Sequence, residues 1–420
     1  MVRGCATDKA WRRAANQFFN CLLAESGIID RMRRWLLPEY IEDILPAQAR
    51  QIEALRRRVL DLFQAHGYEL VMPPLLEYLE SLLTGTGHDL DLKTFKLVDQ
   101  LSGRLLGLRA DITPQVARID AHLLNRTGIA RLCYAGSVVH ALPSGMMHTR
   151  EPLQAGAELY GHAGVESDVE IQALMVNALR AAGVADLHVD LGHVGVFRCL
   201  MQRFQVAPEL ESELFQVLQT KDVPALRELV GSAPAELKQA LLLLPELYGG
   251  VEVLAQARRA LPAYPELAVA LDQMERIGQD LRAVVQVHCF DLAELRGYHY
   301  HSGIVFAAYT RARPNAIALG GRYDEVGVAF GRARPATGFS MDLRELAGLC
   351  ASAPGVSGIL APYRPDDLSL QARIDELRGQ GETVILDLPG HDDTRAELGC
   401  TRALTQRDGK WQITPLHAAG

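Results

Sequence analysis

The apolar positions along the chain fall into stretches of two different periods. From Ala47 to His66, the residues Ile52, Leu55, Val59 and Leu62 recur on one face of a 3.6-residue repeat, with Arg56–Arg58 largely on the other. This predicts a helix that Gly67 stops, followed by a strand from Tyr68 that ends at Pro73 and Pro74. Phe95–Asp99 and Leu105–Arg109 predict a short hairpin around Ser102 and Gly103. A longer hairpin follows. Leu132–Val139 is strand-like, the chain breaks at Pro143, Ser144 and Gly145, and a second strand returns with Gln154, Gly156 and Glu158. Val169, Ile171, Leu174, Met175 and Ala178 then predict a helix over 165–182, and 187–193 alternates as a strand.

Between 196 and 284 the chain becomes rich in Leu, Ala, Glu and Gln, with Pro208, Pro224, Pro234, Pro245 and Pro262 as punctuation. This predicts several short amphipathic helices inserted into a sheet domain. Strand signals resume over 284–290. From Ala353 onward a small α/β unit is expected, with a strand at 357–361, a helix over 366–380 and a strand at 383–388. There 404–407 and 411–413 pair across Asp408 and Gly409, a favoured two-residue turn. The expected organisation is an N-terminal extension over 1–34, a core over 35–350 and a C-terminal unit over 351–420. In the first segment, Arg12, Arg13 and the apolar run 18–23 allow a targeting peptide. The run is short and no small-residue cleavage site is clear, so a natural start at Met32 is preferred.

Composition narrows the partners. A 48% hydrophobic, 22% charged chain of 420 residues is ordinary for a folded protein. No apolar run is long enough to span a bilayer, and a cytoplasmic protein is expected. The formal net charge of -8 counts against tRNA, since nucleic-acid binders usually carry a basic stripe. The seven cysteines form no CxxC pair, and no Cys/His cluster has zinc spacing, so neither a disulfide frame nor a metal is expected. No cofactor is implied.

The candidate chemistry is carried by Asp111, Thr113, Gln154, Glu158, Arg296 and Tyr323. Carboxylates and a Gln suit an ammonium and an imidazole N–H, and an Arg suits a carboxylate. Taken alone, Asp111 reads rather as the cap of a helix beginning near Pro114, and both roles can hold at once. His288, His299 and His301 lie close together in sequence, but no carboxylate or Cys completes a metal-ligand set.

These motifs, in this order, resemble those of histidyl-tRNA synthetase, a class II aminoacyl-tRNA synthetase. Helix, Gly67, strand and Pro73 resemble class II motif 1, which builds a dimer interface. The run from Leu108 to Thr113 resembles Leu-Arg-Pro-Glu-Gly-Thr, whose acid and Thr hold an amino group. Arg296 and Gly297 match Arg-Gly-Leu-Asp-Tyr-Tyr-Thr, with His299 at its Asp and His301 at its second Tyr, which contacts the imidazole in the family. Gly320–Asp324 is the most specific identical run, and its Tyr lines the amino-acid pocket. The resemblance implies an α+β fold: a class II antiparallel sheet flanked by helices, with a helical insertion and a small C-terminal α/β unit.

The nucleotide half departs from the family. The motif 2 hairpin carries a Phe-Arg-x-Glu run whose Arg clamps the ATP α-phosphate; the matching positions here are Val139, His140 and Leu142. The final Arg of motif 3 falls on Glu345. Arg344 is adjacent, but one step along a helix turns a side chain by about 100°. Losing one transition-state cation typically costs about two to three powers of ten in rate. The expectation is a dead ATP half beside a surviving amino-acid half. One synthetase-like group fits, the regulatory subunits of ATP phosphoribosyltransferase. It implies a short-form catalytic subunit as partner, self-association through a class II-type dimer interface, and feedback by histidine on the first step of histidine biosynthesis. The alternatives are a divergent active histidyl-tRNA synthetase or a ligand-free scaffold.

Overall fold

The computed structural model describes residues 36–85, 88–143, 148–285, 288–350, 357–390 and 392–416. The extension expected over 1–34, with its start at Met32, lies outside the described residues, as do Ser144 and Gly145 of the hairpin turn. The chain separates into two compact units, 1–350 and 351–420.

Helix α1 (Pro46–Ala65) buries Ile52, Leu55, Val59 and Phe63. Leu62 is only half-buried, because the repeat continues from Val59 by four residues to Phe63. Phe63 meets Phe339 edge-on at 5.8 Å between ring centroids. Gly67 ends the helix at φ +82°. The strand expected after it is short: β1 (Glu69–Leu70) pairs in parallel with Leu132 and Cys133. Pro73 and Pro74 have no N–H with which to prolong the ladder.

Next come β2 (Leu76–Tyr78), α2 (Leu79–Leu82), α3 (His88–Lys93), β3 (Phe95–Val98) and β4 (Leu105–Leu108). The three strands form an antiparallel sheet of order β2-β4-β3. Helix α4 (Thr113–Arg118) leads into the long hairpin of β5 (Ala130–Ser137) and β6 (Leu153–Tyr160), with Cys133 opposite Ala157 and Gly136 opposite Gln154. Helix α5 (Val165–Ala181) buries Ile171, Leu174, Met175 and Ala178, and β7 (Leu187–His193) follows.

The insertion holds α6 (Val194–Arg203), α7 (Pro208–Gln219), α8 (Val223–Leu229), α9 (Ala235–Leu243), α10 (Glu252–Ala260) and α11 (Pro265–Asp280). Pro208 and Pro224 stand in the first turns of α7 and α8, where a missing N–H costs nothing. The insertion also gives the sheet a two-residue edge strand, β8 (Tyr248–Gly249), which composition did not reveal. The core closes with β9 (His288–Asp291), β10 (Ile304–Thr310), β11 (Arg313–Arg322), β12 (Ala336–Asp342) and α12 (Leu343–Ala347). The strand expected from Val284 thus begins at His288, because 281–283 still form a helical turn.

The nine-stranded sheet has the order β1-β5-β6-β12-β11-β10-β7-β9-β8. It is antiparallel from β5 through β7, with parallel pairs only at β1/β5 and β7/β9. This is the antiparallel, helix-flanked architecture expected. Alternation along the hairpin sorts its side chains. Cys133, Ala155, Ala157 and Leu159 join the main core, which also holds the buried residues of α1 and α5. Leu132, Tyr134 and Tyr160 join a smaller cluster with Ile112, Val116 and Tyr323. That parity sets Glu158 on the same face as Tyr160.

In the second unit, β13 (Gly358–Pro362), β14 (Val384–Asp387), β15 (Cys400–Arg407) and β16 (Lys410–Pro415) form a sheet of order β14-β13-β15-β16. Helix α13 (Leu368–Gly379) packs Leu370, Ile374 and Leu377 with Ile359, Leu404 and Trp411. Asp408 and Gly409, at φ +48° and +74°, make the expected tight turn between β15 and β16. No helix among the described residues is long and apolar enough to cross a membrane.

Candidate functional site

A cavity of about 370 Å³ opens on the sheet face away from α1 and α5. Ala307, Leu319, Gly338 and Ser340 of β10–β12 contribute to it, with Asp111, Thr113 and Pro114 on one wall. The loop 294–301 forms another wall, joined by Phe215 and Gln219 from α7. Five of the six sequence-predicted residues line this cavity: Asp111, Thr113, Glu158, Arg296 and Tyr323.

Glu158 is its most constrained group. The side chain is buried, with Tyr134 donating to Oε1 at 3.1 Å and Tyr323 donating to Oε2. The Tyr134 oxygen also bonds Thr113 Oγ1 at 3.0 Å, and the Tyr323 hydroxyl lies 3.3 Å from that of Tyr160. Burial pushes the Glu158 carboxyl up to about 8, with the Asp111 charge adding to it, while the tyrosine and Thr113 hydroxyls pull the other way. Near neutral pH the group therefore carries its proton. Tyr300 lies beside Tyr323, with centroids 5.0 Å apart, and its hydroxyl is buried without a protein partner.

Asp111 Oδ1 accepts the Thr113 N–H at 3.1 Å, in a turn just ahead of a helix whose N-cap is Ile112, and it also accepts from the Gln154 side-chain amide at 2.8 Å. Both bonds fall on Oδ1, which leaves Oδ2 for the cavity. Gln154 does not line the cavity itself. Its Oε1 accepts the Ile112 N–H at 2.9 Å, so it clamps the 111–113 turn onto β6.

Arg296 is held by its own loop. A terminal nitrogen lies 2.9 Å from Glu294 Oε2 and also donates to the Tyr309 hydroxyl. His301 Nδ1 lies 3.2 Å from the Gly297 carbonyl, and burial pushes this imidazole down to about 4, so it is neutral. His299 sits edge-on to Phe215, with centroids 5.1 Å apart.

At the positions matched to the ATP clamp, His140 Nε2 lies 3.0 Å from the Ala110 carbonyl, and burial lowers its proton affinity below the ordinary histidine value. Leu142 is exposed. Glu345 faces His148 at 2.5 Å and Arg313 at 3.9 Å. Arg344 reaches the same arm of the hairpin and donates to Thr149 Oγ1 at 3.2 Å and the Glu151 carbonyl at 2.7 Å. The sequence reading missed Tyr134, Tyr160, Tyr300 and Glu294. Strand parity could have found Tyr160, two residues from Glu158; Tyr134 emerges only from the β5/β6 register.

Residues 40–346 match the histidyl-tRNA synthetase family, and residues 356–414 match the C-terminal domain of the ATP phosphoribosyltransferase subunit HisZ. Over 386 residues the chain is 60% identical to the ATP phosphoribosyltransferase regulatory subunit of Nitrosospira multiformis, covering 91% of this chain and 98% of that protein. The chain belongs to the ATP phosphoribosyltransferase regulatory subunit family. Another member of that regulatory subunit family, from Ralstonia nicotianae, is 59% identical over 92% of this chain and 100% of its own length. The fold is similar to that of an ATP phosphoribosyltransferase regulatory subunit/histidyl-tRNA synthetase from Bacillus halodurans C, with a TM-score of 0.77 at 27% identity over 86% of this chain and 96% of that one. A histidyl-tRNA synthetase from Nostoc shares the fold, with a TM-score of 0.71 at 19% identity over 88% of this chain and 91% of that one.

Proposed function

We propose that this chain is the non-catalytic regulatory subunit of an ATP phosphoribosyltransferase. It joins a short-form catalytic subunit, supports the first step of histidine biosynthesis and binds the histidine that feeds back on that step. The observation that carries the reading is an imbalance within one site. A buried carboxyl held by two tyrosines stands with Asp111 and Arg296 around a cavity. Where a synthetase needs cations for ATP, the chain offers a neutral His140, an exposed Leu142 and a Glu345 that already faces Arg313 and the His148 ring. Adenylation builds negative charge on the α-phosphate, which such groups do not stabilise. Family membership supports the regulatory role. Self-association is supported by Leu70, Met72, Leu76, Val98 and Leu105, exposed large apolar side chains on and around β1 to β4.

The test is co-purification with a short-form phosphoribosyltransferase, assayed with and without this chain and with and without histidine. Activity that needs the chain and falls with histidine is the expected result. Histidine-dependent ATP–pyrophosphate exchange by the chain alone would instead establish an active synthetase. Titration calorimetry of the chain alone separates a histidine site from a bare scaffold.

A further inference from the structure

Glu294 lies two residues before Arg296, the one arginine among the described residues of the cavity wall, and both of its oxygens are spent on that arginine. Oε1 accepts the Arg296 backbone N–H at 2.9 Å, and Oε2 lies 2.9 Å from the guanidinium. The Glu294 side chain is only 12% exposed, and it lines the same cavity. It is seated against β7, where a Cβ on Gly192 would stand 2.6 Å from Glu294 Cβ. The stem of the side chain is therefore packed against β7, and its carboxylate is held by Arg296.

We infer that Glu294 occupies the carboxylate-binding face of Arg296 as an internal stand-in, and thereby sets both the affinity of the cavity and its preference among amino-acid-like ligands. This rests on reading the cavity as an amino-acid site. An incoming α-carboxylate meets an arginine whose charge is already offset, with a second carboxylate 2.9 Å from it. Arg296 Nη2 also serves the Tyr309 hydroxyl. A ligand must share the guanidinium or displace Glu294, and like charges brought to one site oppose each other. Ligands without a carboxylate escape this competition. Glu294 is a positioning residue here, since it acts through Arg296. Such a weakened site responds at higher ligand concentration, which suits a sensor that signals excess rather than presence.

The experiment is calorimetric titration of the full chain, wild type and Glu294→Gln, with histidine and with histidinol, which carries CH2OH in place of the carboxylate. Glu294→Gln is expected to tighten histidine roughly fivefold, the scale of a half-exposed ion pair, and to leave histidinol within about twofold. Weaker histidine binding, or equal changes for both ligands, overturns the inference and makes Glu294 a plain support for Arg296. If Glu294→Gln does not fold, the wild-type chain decides. Comparable affinity for the two ligands supports the stand-in, and a preference for histidine of roughly a hundredfold, about 2.7 kcal/mol, overturns it. Absence of binding by both ligands in wild type refutes the amino-acid reading itself, a result distinct from either.

Discussion

Glu158 and Gly338 stand directly opposite each other across β6 and β12, and a methyl group on Gly338 would overlap the Glu158 carboxyl. The glycine is required by space and not by backbone angle, since it does not adopt a positive φ. Gly338→Ala must therefore push Glu158 off the Tyr134 and Tyr323 hydroxyls. We expect a stability loss of about 1–3 kcal/mol, the usual cost of overpacking, together with loss of histidine binding. Urea unfolding and titration calorimetry measure the two.

The burial of Glu158 also fixes a pH dependence. Its carboxyl moves from 4.5 to about 8 on folding. Between those values the folded chain keeps a proton that the unfolded chain has released, so this group makes stability fall as pH rises. The fall starts near the unfolded value and is complete once pH passes about 8. Glu158→Gln removes this contribution. Comparing urea midpoints of the two proteins at several pH values from acid to mildly alkaline should show the variant gaining on wild type as pH rises, by on the order of 1 kcal/mol or more.

The periodic parts of the molecule were legible in the sequence. The 3.6 repeat of α1 and α5, the alternation of β7 and the turn residues Asp408 and Gly409 led directly to their elements, because one local rule decided each. What local rules do not carry was missed. Phe63 replaces Leu62 on the buried face because its ring meets Phe339, far away in sequence. Edge strand β8 is two residues long and exists only through its pairing with β9. In the site, motif order brought Asp111, Glu158, Arg296 and Tyr323 together, whereas Tyr134 depended on register and Glu294 on how a single loop folds back. Burial that raises the Glu158 carboxyl and lowers the His140 and His301 imidazoles has no signature in one sequence.

Gln154 joins Asp111 to the backbone with opposite ends of one amide, donating to Oδ1 and accepting from the Ile112 N–H. Gln154→Glu keeps the acceptor but sets a second negative charge against Asp111. We expect roughly 1–3 kcal/mol of destabilisation, as for a lost buried partner, and weaker histidine binding with the cavity lining itself unchanged. Thermal unfolding with and without histidine separates the two effects.

Tyr300 carries a buried hydroxyl with no protein partner. An unmet hydroxyl costs about 1–3 kcal/mol. Tyr300→Phe should thus leave the ligand-free chain at least as stable as wild type. Histidine should bind it less tightly, because the hydroxyl at the cavity wall is a group a polar ligand satisfies. A variant both less stable and unchanged in affinity would contradict this account.

Arg344 is the cation nearest in sequence to the missing motif 3 arginine, and its bonds argue for a structural duty. It ties the start of β12's following helix, α12, to the returning arm of the long hairpin through Thr149 Oγ1 and the Glu151 carbonyl, and its side chain is only 11% exposed. With Nη1 bonded to the hairpin and Nη2 facing the Glu151 carboxylate at 3.9 Å, this guanidinium has little left for a phosphate. Arg344→Ala should therefore lower stability by about 1–3 kcal/mol, the scale of hydrogen bonds to a charged group, while leaving any residual ATP affinity unchanged. Denaturant unfolding reads the first quantity and equilibrium dialysis with labelled ATP the second. An ATP affinity that exists in wild type and vanishes in the variant would return Arg344 to the nucleotide site and reopen the case for adenylation.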